Sequence, residues 1–261
     1  MECITGEVIA KFNMSDDEVN VFKKHSSCKQ LESRDDSKIS FQDIYRKNVW
    51  GEHVRSGIGS TVGYAVSATK VLSSVIAYIK KQLDITRVRI LDAPCGDMTW
   101  MQHLLKTRND IDYTGFDIVP ELNSGTQNKF QDLVFSRMML QHIHNDDVSK
   151  DIEEVSTSGS KFILMTSFPN NRENRELQKP GERFHLIHFE IPPVSLPPPL
   201  CYSRDGSEED NLHYLHLWRL LLLQVSNCSV THRIPLRLST TALQCFSCPN
   251  ESYVTQVQRY R

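Results

Sequence analysis

The most constraining feature of this chain is a repeated change of hydrophobic period. Val88-Arg89-Ile90-Leu91-Asp92 is a short β-type run, and Tyr113-Thr114-Gly115-Phe116-Asp117-Ile118 is a second. Asp132-Leu133-Val134-Phe135-Ser136 and Phe162-Ile163-Leu164-Met165-Thr166 follow. After the first run, Met98, Met101, Leu104 and Leu105 recur at helical spacing, and residues 146–155 read as another helix with Asn145 as its cap. Short strands alternating with helices predict a parallel α/β sheet, because parallel neighbours need a crossover and a helix supplies it. A longer helix precedes the first strand. Val62, Val66, Thr69, Leu72, Ile76, Ile79 and Leu83 form its predicted inward stripe, Ser60 or Thr61 is its predicted N-cap, and Lys80 and Lys81 suit its C-terminal dipole.

Outside this pattern the texture differs. Residues 1–40 carry six Lys and Arg and eight Asp and Glu without a sustained period, which predicts a flexible arm holding at most a short helix. Residues 41–223 form the predicted domain, beginning with Phe41, Ile44, Tyr45 and Trp50 alternating with polar residues, and residues 224–261 read as an irregular tail. Within the domain, 184–191 and 212–223 are further strand candidates. Five of the 11 prolines lie at 192–199, which reads as a stiff connector between those two strands or, less favoured, as a polyproline ligand for a partner domain. An apolar share of 39% is lean for a wholly compact chain of 261 residues, in keeping with polar ends.

Charge and cysteine narrow the classes further. Thirty Lys and Arg against 32 Asp and Glu leave no basic excess to argue for a nucleic-acid coat. No apolar run approaches the ~20 residues of a membrane helix. Seven scattered cysteines fit a reducing compartment, and the first 17 residues lack a basic-then-apolar pattern. Together these predict an intracellular, cytoplasmic protein. Cys228, His232, Cys245 and Cys248 could form a zinc knuckle, but their spacing is a weak match and unpaired tail cysteines are the preferred reading, so no metal site is predicted.

Chemistry concentrates where the first strand meets its helix, at Asp92-Ala93-Pro94-Cys95-Gly96-Asp97. Such a turn lets a ligand approach the backbone, and its amides can receive polar groups. Asp117 follows 25 residues after Asp92, at the end of the next strand, where a carboxylate can accept from both hydroxyls of a ribose.

The segment from Leu91 to Asp97, followed by Trp100, resembles the first motif of class I S-adenosylmethionine-dependent methyltransferases. The stretch from Tyr113 to Pro120 resembles their second motif, and Asp132 to Arg137, running on to Leu140-Gln141-His142, resembles their fourth-strand segment. Trp50-Gly51 and Ser56-Gly57-Ile58-Gly59-Ser60 resemble the lead-in of one subgroup. The resemblance implies a Rossmann-like sheet with flanking helices and methyl transfer from S-adenosylmethionine to an unknown acceptor, a small molecule or a protein. It implies that Asp92, Pro94, Cys95, Gly96 and Asp97 hold the methionine part and that Asp117 and Ile118 hold the ribose side. Ser136 and Arg137 would line the floor near the methyl, and Ser56, Gly57, Gly59 and Ser60 would fold over the donor. Arg137 and His142 are the catalytic candidates. His144 and His185 are further candidate bases, though each is more readily a surface or packing residue.

One departure from that pattern has consequences. Only 14 residues separate Asp117 from Asp132, whereas two crossovers and a third strand need roughly 40. The third strand is therefore expected to be missing, leaving the second as a sheet edge. The adenine wall would then be open or rebuilt by residues 123–130, and donor binding would be weakened. A catalytically impaired binding or regulatory protein of the same fold is the alternative reading.

Overall fold

The computed structural model describes residues 35–51, 55–119, 122, 131–177, 184–206 and 213–220. A six-stranded sheet runs through them. Its strands are β1 (Val88–Asp92), β2 (Ile111–Gly115), β3 (Leu133–Ser136), β4 (Phe162–Ser167), β5 (Cys201–Arg204) and β6 (Tyr214–Arg219), in spatial order β2-β1-β3-β4-β6-β5. β1 pairs in parallel with β2 and β3, and β3 with β4, while β6 runs antiparallel to both β4 and β5. The helices are α1 (Asp35–Lys47), α2 (Val66–Leu83), α3 (Met101–Thr107) and α4 (Asn145–Thr157).

Strand alternation divides the core between two faces. Leu133, Phe135, Phe162, Leu164, Leu215 and Leu217 point to the side packed by α2 and α3. Val134, Ile163, Met165 and Trp218 point to the side packed by α1 and α4. Because both faces are covered, β3 and β4 are buried at every position, as expected for parallel strands between two helical layers. The predicted α/β class and its Rossmann-like sheet are present. Among the described residues no strand lies between β2 and β3 and β2 pairs with β1 alone, which leaves β2 at the edge of the described sheet, as expected. Register between β1 and β3 is pinned by Asp132. Its carboxylate accepts from the Arg89 backbone N–H at 2.9 Å and from the Arg89 guanidinium at 2.8 and 3.1 Å.

Several local expectations are corrected. α1 begins at Asp35, inside the segment read as an arm, and its Phe41, Ile44 and Tyr45 are buried at i, i+3 and i+4. What looked like alternation there is one face of a helix. α2 starts at Val66 with Ala65 in the N-cap position, not Ser60 or Thr61. Its buried stripe is Ala68, Val71, Leu72, Val75, Ile76 and Ile79, whereas Val62 and Val66 are exposed. α3 starts at Met101, so Met98 belongs to the preceding turn, with φ +57°.

Residues 184–191 do not form a strand, although Ile187 and Phe189 are buried. Their backbone groups are satisfied irregularly. His185 N–H donates to the Gln141 carbonyl, and Ile187 C=O accepts from Phe168 N–H. The Asn174 amide donates to the His188, Ile191 and Pro192 carbonyls. Satisfying every buried backbone group is the requirement, and a ladder is only one way to meet it. The proline run is a connector, but it leads into β5, which the sequence reading missed. Trp218 Nε1–H donates to the Pro197 carbonyl at 2.8 Å and Leu196 N–H to the Phe189 carbonyl at 2.7 Å, holding the run against the fold. A run held this way is poorly placed to serve as a free polyproline ligand. No described helix is long and apolar enough to cross a membrane. The tail residues Cys228, His232, Cys245 and Cys248, and the 123–130 segment, lie outside the described residues. Among those described, no cluster of His, Cys, Asp and Glu could hold a metal ion.

Candidate functional site

The sheet order reverses at β1, which has β2 on one side and β3 on the other. A crevice opens beyond the C-terminal ends of parallel strands at such a switch point. Here its enclosed part is small, about 70 Å³, below the roughly 300–1,000 Å³ of small-molecule sites, and the rest of the crevice is open to solvent. Three parts of its lining come from the strand ends of the sheet. Asp92, Pro94, Cys95, Gly96 and Asp97 come from the turn after β1, and Asp117 and Ile118 follow β2. Phe135, Arg137, Met138, Met139 and His142 come from the end of β3 and its following loop.

The turn after β1 is held by hydrogen bonds from outside itself. Asp117 Oδ2 accepts from Gly96 N–H at 2.9 Å and Oδ1 from Val119 N–H at 3.0 Å. Ser56 Oγ accepts from Asp97 N–H at 2.8 Å, and Asp97 Oδ2 accepts from Ser56 N–H at 3.1 Å. Tyr45 Oη lies 2.8 Å from Ser56 Oγ, bringing α1 into the same network. Gly96 has φ +56°, a left-handed conformation costly for other residues. A Cβ there would also run into Ser56 Oγ. The glycine therefore lets the lead-in loop close against the turn.

Electrostatically the crevice is acidic. Asp92 is 4% exposed, and its Oδ2 accepts from the Tyr113 hydroxyl at 2.7 Å. Burial raises its pKa to about 7; the Tyr113 hydrogen bond works against that rise, and the charge of Asp117 adds to it. Burial also raises Asp117, against the pull of its backbone amide donors. Cys95 is pushed up to about 12, first by burial and then by Asp92 and Asp117, so its thiol is a packing group and not a nucleophile.

Arg137 is engaged by the protein itself. Its Nε donates to Asp205 Oδ2 at 2.7 Å, its Nη2 to Asp205 Oδ1 at 3.2 Å and its Nη1 to the Gly59 carbonyl at 2.9 Å. The Asp205 side chain is fully buried and Arg137 nearly so. Burial alone would raise Asp205. The hydrogen bond from His213 and the charge and hydrogen bond of Arg137 instead hold it below the usual carboxylate range. Arg137 thus reaches the crevice wall but spends its donors on the protein. Asp205 sits beyond β5 and had no sequence signal, since an isolated Asp in a polar loop looks like any other.

Of the predicted site residues, Asp92, Pro94, Cys95, Gly96, Asp97, Asp117, Ile118, Arg137, His142, Ser56 and Ser60 line one crevice. Gly57 and Gly59 do not line it, and Gly59 contributes only its carbonyl, to Arg137. Ser136 is buried beneath the crevice, and its hydroxyl has no hydrogen-bond partner among the described residues. His144 and His185 lie elsewhere. His144 Nδ1 is 2.9 Å from Glu176, and the His185 ring faces the Arg175 and Ile143 carbonyls. Phe41, Tyr45 and Trp50 were not predicted as site residues, yet they complete the wall. Only the register of α1, hidden in sequence by its apparent alternation, would have pointed to them.

No family model matches the chain. No curated protein matches it. Among solved structures it is similar to a magnesium protoporphyrin IX methyltransferase from Synechocystis with bound SAM, at 13% identity and a TM-score of 0.43. That match covers 70% of this chain and 97% of the other. It is similar also to a 1,6-didemethyltoxoflavin-N1-methyltransferase from Burkholderia thailandensis bound to 1,6-didemethyltoxoflavin and S-adenosylhomocysteine. There the identity is 12% and the TM-score 0.43, over 70% of this chain and 86% of that one. The class defined by the chain's own strand order and switch-point crevice is the Rossmann-like α/β fold.

Proposed function

We propose that this chain transfers a methyl group from S-adenosylmethionine to an acceptor. The observation that carries the reading is the hydrogen bond from Gly96 N–H to Asp117. It joins the turn after β1 to the acid after β2 in one crevice, with Asp92 beside them. The donor set suits the group. Asp117, which accepts from the Gly96 and Val119 N–H groups, lines the crevice where a carboxylate can also meet ribose hydroxyls. Two buried carboxyls favour a ligand bearing ammonium and sulfonium charges. The unpartnered Ser136 hydroxyl lies beneath the crevice at the end of β3. Asp92, Cys95 and Gly96 would hold the methionine part, and Asp117 and Ile118 the ribose side.

S-adenosylmethionine supplies an electrophilic methyl. The protein's task is then to align donor and acceptor and to exclude water. Arg137, locked to Asp205, shapes the wall and does not enter proton transfer. His142 is the one candidate base of the three histidines that lines the crevice.

Isothermal titration of the full chain with S-adenosylmethionine tests this. Binding, lost in Asp117→Ala, supports the reading, and saturation at about 100 times Kd should add about 2.7 kcal/mol to unfolding stability. Absence of binding at millimolar donor would leave the second reading, a fold relative acting as a binding module. The edge position of β2 among the described residues favours that reading.

A further inference from the structure

We infer that the acceptor is an uncharged, planar aromatic or heteroaromatic small molecule carrying a hydroxyl or amino nucleophile. This rests on the methyl-transfer reading above. Strand order separates the two ends of the crevice. Asp117 and Asp92 follow β2 and β1, while Met138, Met139 and His142 follow β3, on the far side of β1 from Asp117. A donor held at the first two strands leaves the end beside the β3 loop for the acceptor.

That end is walled by flat and polarisable groups. The Trp50 ring lies 5.1 Å from His142 at a 37° tilt, and Phe184, outside the crevice lining, meets the same histidine edge-on at 6.1 Å. Phe184 is 52% exposed, so an aromatic face is presented outside the core. Met138 is held with φ +56° by its N–H bond to Thr166 Oγ1 at 2.9 Å. Thioethers pack well against ring edges, and ring pairs add attraction beyond area burial.

Charge excludes the other classes. Among the described residues that line the crevice, the basic side chain Arg137 is neutralised by Asp205 and bonded to Gly59, and the acidic ones are Asp92, Asp97 and Asp117. A carboxylate or phosphate acceptor would meet these acids with no counter-charge among the described lining residues. In the transfer, the acceptor lone pair forms the new bond to the methyl carbon. The C–S pair returns to sulfur, and the acceptor proton leaves to solvent at the open mouth.

The test uses the full chain saturated with S-adenosylhomocysteine, which occupies the donor end. It is titrated calorimetrically with three probes, 2-naphthol, 2-naphthoate and decahydro-2-naphthol. The naphthol should bind about tenfold or more tightly than the charged or the non-planar probe, the scale of one good aromatic contact. Trp50→Ala should remove that preference and Trp50→Phe should retain it, with S-adenosylhomocysteine affinity reporting that both variants fold. Equal binding of the three probes, or naphthol binding unaffected by Trp50→Ala, overturns the inference. If S-adenosylhomocysteine itself fails to bind, the methyl-transfer reading falls. The same titration on the free chain then decides the aromatic slot separately, with thermal unfolding checking the variants' folding.

Discussion

Asp92 and Asp205 are both buried carboxyls, yet their surroundings are opposite. Asp205 faces a guanidinium at 2.7 Å and a histidine at 3.6 Å, and its pKa is held down. Asp92 faces one tyrosine hydroxyl and a second aspartate, and its pKa is raised to about 7. The first is a completed ion pair that ties the β3 loop to the lead-in loop and to the segment after β5. The second lacks a cation of its own in contact, which is the condition for a cationic ligand to supply one. Two acids of similar burial therefore mark a structural joint and a candidate binding site.

The largest effect should come from breaking the completed pair. Asp205→Ala leaves Arg137 buried without its counter-charge and should lower unfolding stability by about 3–5 kcal/mol. Urea denaturation measures it. The double change Arg137→Met with Asp205→Leu should recover most of the loss, because both charges are then gone. A loss under about 1 kcal/mol in Asp205→Ala would mean that the pair is solvated.

Next is the pH behaviour of Asp92. Its folded pKa lies above the unfolded value of 3.8, so the protonated form favours the folded state. That stability is fully present below pH 3.8 and is lost as pH rises through about 7. Between pH 5 and 8 the free chain should lose on the order of 2–3 kcal/mol from this group. Asp92→Asn should flatten that slope and be the more stable chain at pH 8. A wild-type slope that survives the substitution would assign it to another group.

The same titration should appear in donor binding. Ionised Asp92 attracts a sulfonium and an ammonium, so S-adenosylmethionine should bind about tenfold more tightly at pH 8 than at pH 6. S-adenosylhomocysteine, without the sulfonium, should change less. Equal slopes for the two would place the sulfonium away from Asp92. The smallest effect belongs to α2. Val62→Ser and Val66→Ser should stay within about 0.5 kcal/mol of wild type in urea denaturation, because both valines are exposed.

Much of this molecule was legible locally. β1 falls where the apolar run 88–92 predicted it, β3 and β4 within a residue of their runs, and the turn after β1 lies at the crevice. Parallel strands buried on both faces must be apolar throughout, so their sequence is explicit. The short spacing from Asp117 to Asp132 announced β2 as an edge, because chain length limits what a connection can build.

What the sequence left undecided depended on distant partners. Phe41, Ile44 and Tyr45 fit an alternating run as well as one helix face over so short a stretch, and only packing against β3, β4 and α4 resolved them. Residues 184–191 have strand composition, but Asn174 and neighbouring loops satisfy their backbone, an outcome no local pattern contains. The assignment of Arg137 turned on Asp205, 68 residues away. Local propensity and spacing determined which segments form the sheet and where a ligand can enter it. Tertiary structure alone decided which buried charges are compensated, because a residue's electrostatic environment is set by what folds against it.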